Sequence, residues 1–133
     1  MTETSTTAEV NRPDVVAEIT EVFEAYEAAL VTHDVQAMTE AFWDSELAVR
    51  YGVREVSYGA AEIAEWRRTA TPVPRDRRIG PTAIVTFGDS VACVSTEFRN
   101  GDGPRTGRQS QTWVRRPEGW RIVAAHVSLQ MTS

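Results

Sequence analysis

The sequence predicts an α+β fold: three N-terminal helices packed on a curved, mostly antiparallel sheet, in the order α-α-β-α-β-β-β-β. Three observations predict it. Apolar residues recur at steps of three and four between Val15 and Leu30, the spacing of one helical face. From Arg78 onward the pattern changes to period two, with turn residues at regular intervals. A long meander cannot bury its inner face alone, so the amphipathic helices ahead of it must supply the second layer. A strongly twisted sheet then curls around them into a cone whose open end can hold a ligand.

The elements follow in order. Asn11 is a candidate cap and Pro13 is tolerated in a first turn, so a helix begins there and runs to about Thr32. Its apolar stripe is Val15, Ile19, Val22, Phe23, Tyr26 and Leu30, opposite Glu18, Glu21 and Glu24. Asp34 caps a second, shorter helix through about Phe42. Glu46 to Val53 reads as a strand, with Ala48 and Arg50 on one face and Leu47, Val49 and Tyr51 on the other. After a break at Tyr58-Gly59, Ala60 to about Thr69 forms the third helix. Four strands complete the chain: Ile79–Phe87, Val91–Arg99, Arg105–Arg115 and Trp120 to about Gln130. They are separated by Gly88-Asp89, by Asn100-Gly101-Asp102-Gly103 (a hairpin signal) and by Pro117-Glu118-Gly119.

With 133 residues there is chain for one core, and the expected organisation is a polar, Thr-rich disordered tail over residues 1–10 followed by one domain over 11–133. The net charge of −5 argues against nucleic acid, which needs a basic field. A few buried arginines can still make a local anion site in such a chain. No run is long and apolar enough to cross a membrane. Cys93, the single cysteine, sits in the apolar run Ser90-Val-Ala-Cys-Val and reads as a core thiol, which fits a reducing cytoplasmic location. Two histidines and one cysteine would need carboxylates to complete a zinc shell. No cluster of them is visible, so neither metal nor cofactor is expected.

Polar residues on faces that should be buried are the candidate site. Tyr26 lies on the apolar stripe of the first helix, either as a core tyrosine or as a phenol pointing into the cone. Arg50 sits mid-strand, either facing solvent or reaching inward to hold a carboxylate through two parallel hydrogen bonds. Arg67 and Arg68 end the third helix, where cations suit the helix dipole; Arg67 follows Ile63 by one turn and is the better placed to face inward. In Gly107-Arg-Gln-Ser-Gln-Thr-Trp113 one face carries Gln109, Gln111 and Trp113, and the other Ser110 and Thr112. Either would bring polar groups inward. Strict alternation groups His126 and Ser128 with Trp120, Ile122 and Ala124, making His126 either a core histidine or a pocket acid or base. Trp113 and Trp120 could instead form an exposed aromatic patch. His33 reads as a surface residue.

Phe23-Glu-Ala-Tyr26-Glu-Ala-Ala-Leu30, Val49-Arg-Tyr-Gly52, Trp66-Arg-Arg68, Gly107–Trp113 and Gly119-Trp-Arg-Ile-Val-Ala-Ala-His-Val-Ser128 resemble the nuclear transport factor 2-like superfamily, which includes ketosteroid isomerase-like and SnoaL-like proteins. Within it, the chain resembles the AtzH-like, oxalurate-catabolism (HpxZ-like) family. That resemblance implies a small catalytic or accessory protein of ureide or triazine nitrogen catabolism, found beside amidases. It implies an acting tyrosine on the first helix and an acting arginine on the first strand, the positions of Tyr26 and Arg50. The aspartate base of the ketosteroid isomerase pattern has no clear equivalent here.

The expected activity is a metal-free, decarboxylating amidohydrolase acting on a small N-carboxylated urea. Tyr26 and Arg50 would be catalytic, with Arg67, Arg68, Gln109, His126 and Ser128 binding substrate. Urea carbonyls are poor electrophiles, so a catalyst must stabilise charge on oxygen or protonate the leaving nitrogen. Two other readings remain: a non-catalytic binding or accessory subunit for an amidase, and an acid–base isomerase or dehydratase using His126. The expected partners are a small carboxylated substrate, a second copy of the chain through the sheet, and an amidase.

Overall fold

The computed structural model describes residues 9–101 and 103–131. Helices α1 (Pro13–Thr32), α2 (Val35–Glu40) and α3 (Ala60–Thr69) accompany strands β1 (Val49–Tyr51), β2 (Val56–Tyr58), β3 (Arg77–Phe87), β4 (Val91–Asn100), β5 (Gly107–Arg116) and β6 (Gly119–Leu129). The six strands form one sheet in the order β2-β1-β6-β5-β4-β3. All neighbours are antiparallel except β1 with β6. The expected single strand over Glu46–Val53 is a short hairpin in which Tyr51 pairs with Val56 and Val49 with Tyr58. Three residues per strand is too short a period to register in sequence.

The stripe on α1 is the core stripe: Val15, Ile19, Phe23, Tyr26 and Leu30 are all buried. They meet Met38, Ile63, Ala92, Val94, Trp113, Trp120 and Ile122 between the helices and the sheet. Trp113 and Trp120 therefore face inward, 1% and 6% exposed, and form no surface patch. The Trp120 indole reaches the rim and donates to Glu18 across 2.8 Å.

Asp34 caps α2 as expected, accepting from the Ala37 amide at 3.0 Å. Asn11 does not cap α1. It adopts a positive φ of 57° and its side-chain oxygen accepts from the Thr86 amide at 2.8 Å. Asn11 thus fastens the chain to β3 ahead of the helix. Glu9 and Val10, assigned to the tail, also run along this edge: Val10 bridges Phe87 and Gly88 donates to the Glu9 carbonyl at 2.8 Å. Residues 1–8 of that tail, and Asp102 of the hairpin signal, lie outside the described residues. Cys93 is half-buried rather than a core thiol, because Ala92 and Val94 take the inward positions of β4.

One irregularity decides the site. Thr112 pairs with Ala124, but the next residue of β5, Trp113, pairs with Ile122. Val123 is therefore an extra residue in β6, a β-bulge. An extra residue shifts every later side chain to the opposite face. Trp120 and Ile122 point inward before it; Ala125, Val127 and Leu129 line the cavity after it. His126 and Ser128 are turned outward and exposed.

Candidate active site

Between the helices and the sheet lies a cavity of about 350 Å³. Tyr26 enters it from α1, Arg67 and Trp66 from α3, Arg50 from β1, Arg77 from β3 and Gln109 from β5. Strand alternation places Ala48 and Arg50 inward, both buried. Helical spacing does the same for Ile63 and Arg67, one turn apart.

Arg67 Nη2 donates to the Tyr26 hydroxyl at 2.6 Å, and both residues are 6% exposed. That contact uses the phenol oxygen as an acceptor, which leaves the phenol's own proton to point elsewhere. No ion pair joins Arg67 to a carboxylate among the described residues. Burial pulls its guanidinium below the ordinary arginine range; the like charge of Arg50 acts the same way, while Tyr26 opposes both. A buried cation whose side-chain hydrogen bond goes to a neutral group has the chemistry to accept an anion.

Arg50 also lies in the chamber. Its guanidinium carbon sits 3.7 Å from the centre of the Trp66 ring, and that of Arg67 lies 4.6 Å from the same ring. The indole thus holds two cations in one place by cation–π attraction. Arg50 Nη1 also pairs with Glu55 Oε2 at 2.6 Å. On the far wall Arg77 pairs with Glu27 at 2.9 Å. Gln109 braces that pair: it donates to Glu27 at 2.6 Å and accepts from Arg77 at 3.3 Å. Arg50, Arg54, Arg67 and Arg77 line the cavity, and Glu55 is the one carboxylate among its lining residues. With Glu55 and Glu27 neutralising two of the four arginines, a positive field remains around Arg67.

Of the residues singled out in sequence, Tyr26, Arg50, Arg67 and Gln109 share this chamber. Tyr26 and Arg50 are connected through Arg67 and Trp66. Three residues do not belong to it. Arg68 is exposed on α3 and pairs with Glu65, since one residue along a helix turns a side chain by about 100°. His126 and Ser128 face outward because of the Val123 bulge, and His126 packs edge-on against Tyr51 with ring centres 5.7 Å apart. His126 is therefore not among the residues lining the chamber. Sequence reading missed Trp66, Arg77, Glu27 and Glu55. No local pattern marks Arg77 or Glu27, whose contact spans 50 residues. The i,i+5 spacing of Arg50 and Glu55 across a Gly52 turn was the one readable signal.

Comparison with known proteins places the chain. The AtzH-like family model matches residues 8–133. A cystatin-like fold protein from Burkholderia xenovorans is 48% identical, with a TM-score of 0.91 over 95% of this chain and 99% of its own. A protein of unknown function from Pectobacterium atrosepticum is also 48% identical, with a TM-score of 0.88 over 92% of this chain and 95% of its own. A nuclear transport factor 2-like superfamily protein from Salmonella enterica is 27% identical, with a TM-score of 0.71 over 90% and 94%. No curated protein matches.

Proposed function

The chain belongs to the AtzH-like family, and from that premise and the chamber's chemistry we propose that it hydrolyses a C–N bond of a small N-carboxylated urea. The observation that carries this reading is the buried Arg67, donating at 2.6 Å to the Tyr26 hydroxyl and without a carboxylate partner among the described residues. A substrate carboxylate supplies the missing counter-charge, held between Arg67 and Arg50. A neutral substrate would leave Arg67 buried and uncompensated, a costly state.

With its oxygen accepting from Arg67, Tyr26 directs its proton at the bound urea. Water adds to the carbonyl carbon and the C–N bond breaks, its electron pair remaining on nitrogen. Tyr26 gives its proton to that nitrogen and regains one from the water. In between, the phenolate charge faces Arg67 directly, which lowers the barrier to that transfer. If the product is a carbamate, it then loses carbon dioxide. Preorganised charge of this kind contributes on the order of a hundredfold or more per group.

The experiment is ammonia and carbon dioxide release from carboxylated ureas by the intact protein and by Tyr26→Phe and Arg50→Ala. The expected result is turnover lost in both variants with the fold retained. Turnover that survives both changes overturns the assignment. The same reading includes self-association through the outer sheet face, where Tyr51, Val56 and Tyr58 are exposed; sedimentation at several concentrations tests it. The accessory reading, an amidase partner with no turnover of its own, is tested by the same release assay.

A further inference from the structure

Arg50 is not free to receive a substrate. Its Nη1 is held by Glu55 Oε2 at 2.6 Å, and the side chains of the pair are 9% and 29% exposed. Glu55 belongs to the turn joining β1 to β2, which the Gly52 amide closes by donating to the Glu55 carbonyl at 2.8 Å. The carboxylate lies directly over Gly52. A methyl group built on that glycine would overlap both the Glu55 carboxylate and the Arg50 guanidinium. Gly52 has no positive φ, so the backbone does not demand glycine there; the absence of a side chain leaves room for the ends of Glu55 and Arg50. Turn, glycine and ion pair together seat a protein carboxylate on the arginine of the anion site.

We infer that Glu55 is a resident competitor: it occupies the carboxylate subsite of Arg50 when the chamber is empty, and a substrate carboxylate displaces it. This rests on reading the chamber as an anion site, and it adds a specificity device to that reading. Only a ligand bringing its own negative charge replaces the broken pair in kind. A neutral urea exchanges a charged partner for an uncharged one and is rejected. The displaced carboxylate has somewhere to go, because it is already partly exposed on a turn. Arg67 provides the standing attraction that draws the anion in, and Arg50 becomes available when Glu55 leaves.

Two variants separate the competitor from its alternatives. Glu55→Gln removes the charge and keeps the shape; Glu55→Ala removes the carboxylate altogether. The readout is the calorimetric affinity of the intact protein for malonate, a carboxylate that cannot be hydrolysed. A partly buried, charge-assisted pair favours the occupied state by about ten to one, so freeing Arg50 tightens apparent binding by about tenfold. That is the result expected from both variants, with melting temperature confirming the fold. Should one variant fail to fold, the other still decides. Malonate affinity that is unchanged or weaker in Glu55→Gln overturns the inference. If turnover falls in Glu55→Gln while malonate affinity stays the same, Glu55 is a base acting on water and not a competitor.

The two levels of the argument fail differently. Tighter malonate binding in the variants with no turnover of any carboxylated urea upholds the competitor and overturns the hydrolase. Turnover with malonate affinity flat across all three proteins does the reverse. Binding of malonate by none of them, with no turnover of any carboxylated urea, overturns both.

Discussion

The Tyr26–Arg67 contact allows a quantitative test. Tyr26→Phe removes one oxygen and keeps the ring that packs edge-on against Phe42 at 6.2 Å. What it destroys is the 2.6 Å bond to Arg67, leaving a buried guanidinium without that acceptor. A hydrogen bond to a charged group contributes about 1.5–3 kcal/mol. Unfolding entropy near 2.1 cal/mol/K per residue gives about 0.28 kcal/mol/K for this chain, so Tm should fall by about 5–10 °C. Arg67→Met behaves differently. It removes a cation that burial disfavours and replaces its stem with apolar chain, so stability should hold or rise. In that background the phenol has no charge to serve, and Tyr26→Phe should cost less than about 0.5 kcal/mol. Urea denaturation of the four proteins of this double-mutant cycle measures the coupling. Equal losses from Tyr26→Phe in both backgrounds would refute the claim that the phenol serves the buried cation.

Other outcomes follow from the same geometry. His126→Ala should change neither malonate affinity nor stability by more than about 0.5 kcal/mol, because the residue is an exposed surface group; calorimetry and thermal melting check both. Glu27→Ala should destabilise by about 3–5 kcal/mol by stranding Arg77, whose ion pair is buried; a denaturant midpoint shift without a change in slope measures it. Gly107→Ala would drive a methyl into the Phe98 ring and should cost about 1–3 kcal/mol by overpacking, visible in the same titration. Glu18 has its pKa held below the ordinary carboxylate range of 4.5 by hydrogen bonds first from Trp120 and then from Arg115. A carboxylate depressed in the folded state stabilises above its unfolded pKa and loses that contribution as pH falls through the folded value. Glu18→Gln should therefore lower Tm at pH 6, with the difference shrinking as pH falls below the ordinary glutamate value and closing only below the depressed folded one; melting across the acidic range reads the convergence.

Most of the architecture was legible because it rests on periodicity. The α1 stripe from Val15 to Leu30, the Asp34 cap and the four long strands are local patterns, and local patterns survive any arrangement of their surroundings. Half of the site could be named as candidates for the same reason. Arg67 follows Ile63 by one helical turn, whereas the inward facing of Arg50 with Ala48 and of Gln109 with Trp113 came from the packed structure. The expectation for His126 failed at one residue. Val123-Ala124-Ala125 is small and apolar throughout, so nothing in its chemistry says which residue is the unpaired one, and a bulge there moves His126 and Ser128 to the outside.

By itself, the sequence determined the helices and the four long strands, which residues of each share a face, short of the β6 bulge, and the family. Tertiary structure alone decided the register between β5 and β6, and which charges meet. Arg77 meets Glu27 across 50 residues, and Arg67 meets Tyr26 across 41. The physical reason is that alternation and helical pitch act within a segment. Ion pairing, bulges and an unpaired buried cation depend on which segments come together, and no spacing along the chain records that.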